Sequence, residues 1–185
     1  MARNDEPSLS AEEVALAVRG DRAAVTRIVG VWLPRVYGLC LRLCGKSDLA
    51  EEAVQETFVR ALRALPRLEK PGSFGSWILT IAANTAREIQ GRRSPAPLAG
   101  PEPEAPAARN GARDLQRSAL DHAFRVLDPD ERRLFLLHSV EGTSLEDLAR
   151  NEETTLPAMK SRMHRIREKV RREAKAYFDR NEGDS

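Results

Sequence analysis

Residues 95–113 constrain the fold of this chain more than any other stretch, because they cannot join a core. Pro95, Pro97, Pro101, Pro103 and Pro106 are interspersed with alanine, glycine and the acids Glu102 and Glu104, and Leu98 is the one large apolar side chain. So little apolar surface cannot offset the entropy of ordering the backbone. The composition specifies a tether, averaging roughly 25 Å end to end and extensible to about 65 Å. The 185-residue chain is thereby divided into a front part, 10–94, and a rear part, 114–178. Each must bury its own core, and both show helical periodicity. The expected fold class is all-α: two small helical domains joined by a flexible Pro/Ala-rich linker.

In the front part, Ser10 followed by Glu13 fits a capping box opening a helix over 11–19, which Gly20 ends. Asp21 can cap the next helix, with Ala24, Val25, Ile28, Val29 and Trp32 inward. Pro34 marks a fresh helical start or a kink. Val36, Tyr37, Leu39, Cys40, Leu41, Leu43 and Cys44 are too apolar for an exposed helix, and Gly45 closes the run. The stretch 48–93 follows. Its first helix, from about Leu49 to Leu65, carries an apolar stripe of Ala50, Val54, Phe58 (or Ala61), Leu62 and Leu65. The opposite face bears Glu51, Glu52, Gln55, Glu56, Arg60 and Arg63. Pro66 is expected to exclude helical geometry at Leu65. After a turn at Pro71–Gly72, a second helix from Ser73 should bury Phe74, Trp77, Ile78, Ile81 and Thr85. Its outer face then shows Thr80, Asn84, Arg87, Gln90, Arg92 and Arg93. An acidic face suits a protein partner and a basic one suits nucleic acid, although charge alone fits two solvated helix faces equally well.

In the rear part, Leu115, Ala119, Ala123, Phe124 and Leu127 form a stripe that Asp128-Pro129 breaks, capping the next helix. Arg133, Leu134, Leu136, Leu137 and Val140 follow, up to Gly142. Ser144 with Asp147 is a second capping-box candidate, for a helix over 145–150, and Thr155 can cap a long final helix with Pro157 in its first turn. Leu156, Met159, Met163, Ile166 and Val170 line one face of that helix, where methionine is ordinary core. Ala158, Ser161, Arg162 and Arg165 line the other, with Lys160, Arg167, Lys169, Arg171, Arg172 and Lys175 around it. A short helix, a turn and a basic helix make a helix-turn-helix, whose second helix enters the major groove. Its first residues then reach base edges while lysines and arginines beyond hold phosphates.

A formal net charge of +2 is near balance, so partners have to be argued from local charge. No apolar run looks long enough to span a bilayer, and the first ten residues have no signal-peptide core; the expected location is the cytosol. Cys40 and Cys44, four apart in an apolar helix, read as small core residues, and no Cys or His pair elsewhere completes a zinc-type set. No cofactor and no metal is expected. A nucleophile–base pair is also lacking, so an enzyme is not expected.

Residue order adds a resemblance. Ala50, Glu51, Gln55, Glu56 and Phe58, then Ser73, Phe74, Trp77, Leu79, Ile81, Ala82, Asn84, Arg92 and Arg93, resemble region 2 of the extracytoplasmic-function (ECF) sigma factors, bacterial subunits that give RNA polymerase its promoter choice. The stretch 20–24, Gly-Asp-Arg-Ala-Ala, also resembles the start of that region. Leu127, Pro129, Glu131, Arg132, Glu141, Gly142, Ser144, Glu146, Leu148, Ala149, Lys160, Ser161, Arg162, His164 and Arg165 resemble sigma region 4. The resemblance implies that the chain binds the polymerase core, through the clamp helices of its β′ subunit and its β flap, and promoter DNA. It further implies a restraining anti-sigma factor, which would hold the chain at the inner membrane where that factor is membrane-bound. On this reading Glu52, Gln55 and Glu56 bind the clamp helices. Lys70, Ser73, Phe74, Asn84 and Arg87 capture an unstacked base of the −10 element, with Arg92 and Arg93 on phosphates. Ala158, Lys160, Ser161, Arg162 and Arg165 read the −35 element, and the linker threads through the polymerase.

Four departures stand out. Glu52 stands where the family usually has Asp, and Glu88 and Gly91 where it often has Asp and Arg. The turn Arg150-Asn151-Glu152-Glu153-Thr154 lacks the usual glycine and aliphatic residues. Asn151 is expected to supply the cap, and the acids to weaken phosphate binding. Two rivals follow from the same residues: a sigma-like mimic that sequesters an anti-sigma factor without touching DNA, and a helix-turn-helix regulator acting without polymerase.

Overall fold

A computed structural model of the chain describes residues 9–93 and 122–182. The expected linker and the stripe residues Leu115 and Ala119 lie outside the described residues. The chain divides after Arg93 into two compact units. All regular structure among the described residues is helical.

The first unit opens with α1 (Ala11–Val18), held by the expected capping box: Ser10 Oγ accepts from Glu13 N–H at 3.2 Å, and Glu13 Oε2 from Ser10 N–H at 3.0 Å. Asp21 Oδ1 accepts from Ala24 N–H at 2.7 Å and starts α2 (Arg22–Cys44). This helix continues through Pro34 rather than restarting there, and ends at Gly45 in the left-handed region, φ 72°. Its length and composition would suffice to cross a bilayer, contrary to expectation. Here, however, it packs against α1, α3 and α4, burying Ile28, Trp32, Val36, Leu39, Cys40 and Cys44 as a core helix does.

α3 (Ser47–Ala64) buries Leu49, Ala50, Ala53, Val54, Thr57, Phe58 and Ala61. Leu62, expected inside, is 39% exposed. Leu65 keeps helical geometry (φ −52°, ψ −42°) despite preceding a proline, because the chain tightens there into a 3₁₀ turn, Leu65–Arg67, whose early positions need no proline N–H. A second 3₁₀ turn, Pro71–Ser73, leads into α4 (Phe74–Arg93). The buried line of α4 is Ile78, Ala82, Thr85 and Ile89, flanked by Leu79, Ala83 and Ala86. Trp77 and Ile81 are therefore only half-buried. Gln90, expected outside, is buried and donates from Nε2 to the Leu43 carbonyl at 3.1 Å.

In the second unit Asp128 and Glu131 form a reciprocal capping box (2.7 and 3.0 Å) on α5 (Pro129–Phe135). A π-helical turn, Leu136–Val140, follows. Its extra residue per turn rotates the stripe, leaving Val140 39% exposed where three-four spacing puts it inside. Ser144 Oγ accepts from Asp147 N–H at 3.0 Å to start α6 (Leu145–Asn151). Thr155 Oγ1 accepts from Ala158 N–H at 3.3 Å to start α7 (Leu156–Glu182). α7 packs on α5 and α6 through Met159, Met163 and Ile166, each at most 1% exposed and each contributing about 2–3 kcal/mol.

Candidate nucleic-acid interface

On α3, Gln55 is exposed and Glu52 and Glu56 are half-buried. Glu56 shares Arg60 with Glu88: Arg60 donates from Nε to Glu56 Oε1 at 2.7 Å and from Nη1 reaches Glu88 Oε2 of α4 at 2.9 Å. The Glu56 hydrogen bond, then that of Glu88, raises the Arg60 pKa. Glu88 Oε2 also lies 3.9 Å from Arg92 Nη2. Part of the acidic face is thus neutralised from within. Val59 and Leu62, exposed at helical spacing from Gln55, add apolar surface to it. Sequence reasoning missed Val59 as a surface residue, although its position opposite the buried stripe is a usable signal.

The loop before α4 is folded on itself, with the Lys70 carbonyl accepting from Ser73 N–H (3.0 Å) and Ser73 Oγ (2.8 Å). Lys70 is exposed and Ser73 half-buried. Phe74 is only 3% exposed, so its ring is not available to stack on a base. It lies edge-on to Trp32 (5.8 Å between centroids) and tilted against Trp77 (5.6 Å), and anchors the loop instead. Gly75 lets α4 approach: a Cβ there would stand 2.6 Å from Trp32 Cη2. Asn84, half-buried, and the exposed Arg87 follow along the outer line of α4, with Arg92 exposed at its end. The Arg93 side chain lies outside the described residues.

On α7, Ala158, Lys160, Ser161 and Arg165 are exposed and Arg162 is half-buried, over the fully buried Met159, Met163 and Ile166. The preceding turn differs from expectation. Asn151 is still helical, and the left-handed position falls to Glu153 at φ 51°. Glu152 is not a free acid facing the groove: Oε1 accepts from Nη2 of the buried Arg133 at 2.7 Å, and Oε2 lies 4.0 Å from Arg162 Nη1. Buried Arg132 donates to the Phe124 carbonyl at 2.7 Å, and burial lowers its pKa.

Cys40 and Cys44 are buried thiols, pushed up to about 12 and about 11, chiefly by burial. Among the described residues no group of three or more His, Cys, Asp and Glu side chains could hold a metal.

A helical unit with an acid-lined and a basic face, followed by a helix-turn-helix with a cationic second helix, defines a modular transcription factor. Residues 28–94 match the model for Sigma-70 region 2, and residues 117–170 that for Sigma-70, region 4. RNA polymerase sigma factor CarQ of Myxococcus xanthus is 36% identical over 143 residues, spanning 75% of this chain and 82% of the relative. ECF RNA polymerase sigma factor SigE of Mycolicibacterium smegmatis is 32% identical over 185 aligned residues, spanning 91% of this chain and 68% of the relative. The fold is shared with CnrH, solved with the cytosolic domain of CnrY (TM-score 0.67, 21% identity, 90% of this chain and 97% of that one). It is shared too with the sigma factor RpoE of Bartonella quintana, solved with the anti-sigma factor NepR (TM-score 0.64, 24% identity, 81% and 96%). The chain belongs to the ECF group of sigma-70 family RNA polymerase sigma factors. Its partners are those of the family, RNA polymerase core and promoter DNA.

Proposed function

We propose that the two units divide promoter recognition, the front (10–94) docking on the polymerase clamp and capturing a −10 base, the rear (114–178) reading the −35 element across the tether. Neither contact need be tight alone, since tethering raises the effective concentration of the second. Gln55, Glu52 and Glu56, with Val59 and Leu62 beside them, form the clamp-binding face. Lys70, Ser73, Asn84 and Arg87 surround the extruded base, whose unstacking costs a few kcal/mol, and Phe74 holds the loop from beneath. Arg92 and Arg93 bind phosphates. Ala158, Lys160, Ser161, Arg162 and Arg165 enter the −35 groove. The protein acts by binding alone, without catalysis or cofactor, and works in the cytoplasm. An anti-sigma factor restrains it, as the relatives solved with such partners suggest.

The observation that supports this best is the α7 surface: exposed cations and small polar residues over a fully buried Met159–Met163–Ile166 line. The pairing of Glu152 with Arg133 leaves Glu153 as the exposed acid of the turn, which weakens a DNA-free mimic resting on that acidic turn. The test is transcription by core polymerase plus this protein from its own mapped start sites. Arg162→Ala/Arg165→Ala should reduce −35-dependent output and flatten its salt dependence, by about 0.9 in logarithmic slope for each phosphate no longer neutralised. An unaltered slope and output would remove α7 from the groove.

A further inference from the structure

The acidic turn of the helix-turn-helix has a geometry that the promoter reading leaves unused. Glu152 caps α6, and its backbone is fixed on both sides: its N–H bonds the Leu148 carbonyl at 3.0 Å, and Thr154 N–H bonds the Ala149 carbonyl at 2.9 Å. One carboxylate oxygen is held from behind by Arg133, whose side chain is only 3% exposed. Asp130 lies 3.8 Å from Arg133 Nε and helps keep that guanidinium in place. The other oxygen faces Arg162, 38% exposed, at 4.0 Å. A buried cation thus neutralises the carboxylate and pins it, and its outer edge points at a cation on the groove face. An arginine on a surface helix ordinarily samples many rotamers; a fixed carboxylate at ion-pair distance, beyond hydrogen-bond reach, biases those of Arg162 toward the Glu152 edge.

Resting on the −35 reading of α7, we infer that Glu152 is a positioning residue that aims the Arg162 guanidinium at the O6/N7 edge of one guanine. Arg162 then reads sequence instead of clamping phosphate. A bidentate arginine–guanine pair discriminates by about 5- to 150-fold against other bases.

The test uses holoenzyme assembled from core RNA polymerase and the full chain. The probe is a pool of fragments from one mapped start site with the upstream ten base pairs randomised. Glu152→Gln keeps an acceptor for Arg133 but turns its other edge from carboxylate oxygen to amide, releasing Arg162. The expected result is loss of at least about 5-fold guanine preference at a single position, the same position that Arg162→Ala loses, with other positions and the salt slope unchanged. A uniform loss across the pool would reveal a merely structural role and overturn the inference, as would preferences identical to wild type. Should Glu152→Gln unfold the rear unit, Arg133→Met/Glu152→Met removes the buried pair together and carries the same expectation. If wild-type holoenzyme selects no upstream sequence, or Arg162→Ala leaves every preference intact, the −35 reading itself falls and this inference with it.

Discussion

Gly75 offers the sharpest test of the packing that holds the front loop. An alanine Cβ at this position would sit 2.6 Å from Cη2 and 3.1 Å from Cζ2 of Trp32. The indole cannot easily yield: it is 4% exposed, meets the Phe74 ring edge-on and has the Arg35 guanidinium 5.3 Å from its ring centroid. Overpacking of this kind costs about 1–3 kcal/mol. Replacing a helical glycine by alanine also gains up to about 1 kcal/mol of propensity, which obscures the steric cost in a single variant. Gly91 supplies the reference, since it lies in the other end turn of α4 and an added Cβ meets nothing within 4 Å. The difference in stability between Gly75→Ala and Gly91→Ala should therefore be about 1–3 kcal/mol in favour of Gly91→Ala. Urea unfolding followed by tryptophan fluorescence reads it cleanly, because both tryptophans, Trp32 and Trp77, lie in the front unit. In a Trp32→Leu background the penalty should shrink. Equal stabilities for the two variants, or a penalty unchanged without the indole, would refute the argument.

Reversing charge with Glu56→Lys should abolish co-purification with core polymerase while leaving the helical circular-dichroism spectrum in place; undiminished association would dismiss α3 as the docking face. Raising pH should weaken the front unit through its thiols. The folded pKa values of about 12 (Cys40) and about 11 (Cys44) exceed the unfolded value, so their contribution is full below about pH 8.5 and is lost as pH climbs toward 11–12, by about 1.4 kcal/mol per unit for each thiol. Cys40→Ala/Cys44→Ala should flatten that alkaline decline in urea-unfolding free energy relative to wild type. Gln90→Ala should cost about 1 kcal/mol in the same assay by removing the bond to the Leu43 carbonyl, and a neutral result would count against its buried placement.

What the sequence disclosed best was short-range. The caps at Ser10, Asp21, Asp128, Ser144 and Thr155 are signals between residues three apart, and each appears where expected. The division into two helical units followed from the composition of the segment between them. What it concealed depends on distant partners or on small residues. The buried line of α4 runs through Ala82, Thr85 and Ala86, which a reading weighted toward bulky side chains passes over, so Trp77 and Ile81 look deeper than they are. Gln90 looks like a surface residue until Leu43, 47 positions away, supplies its acceptor. Val140 escapes the core because of a π turn that periodicity does not register. In the site, the candidate residues of α7 came out exposed or half-buried as expected; Phe74 is internal, as its apolar stripe predicted and the −10 role implied by the resemblance did not, and Glu152 is bound to Arg133, a contact across elements that no local pattern registers.

The clasp from Arg60 to Glu88 has a mechanical meaning. It adds a part-exposed ion pair to the packed interior that already joins α3 to α4, so the surfaces on the two helices are carried by one packed unit. A partner that grips one side of that unit therefore sets where the other side stands, through the packing of α3 on α4.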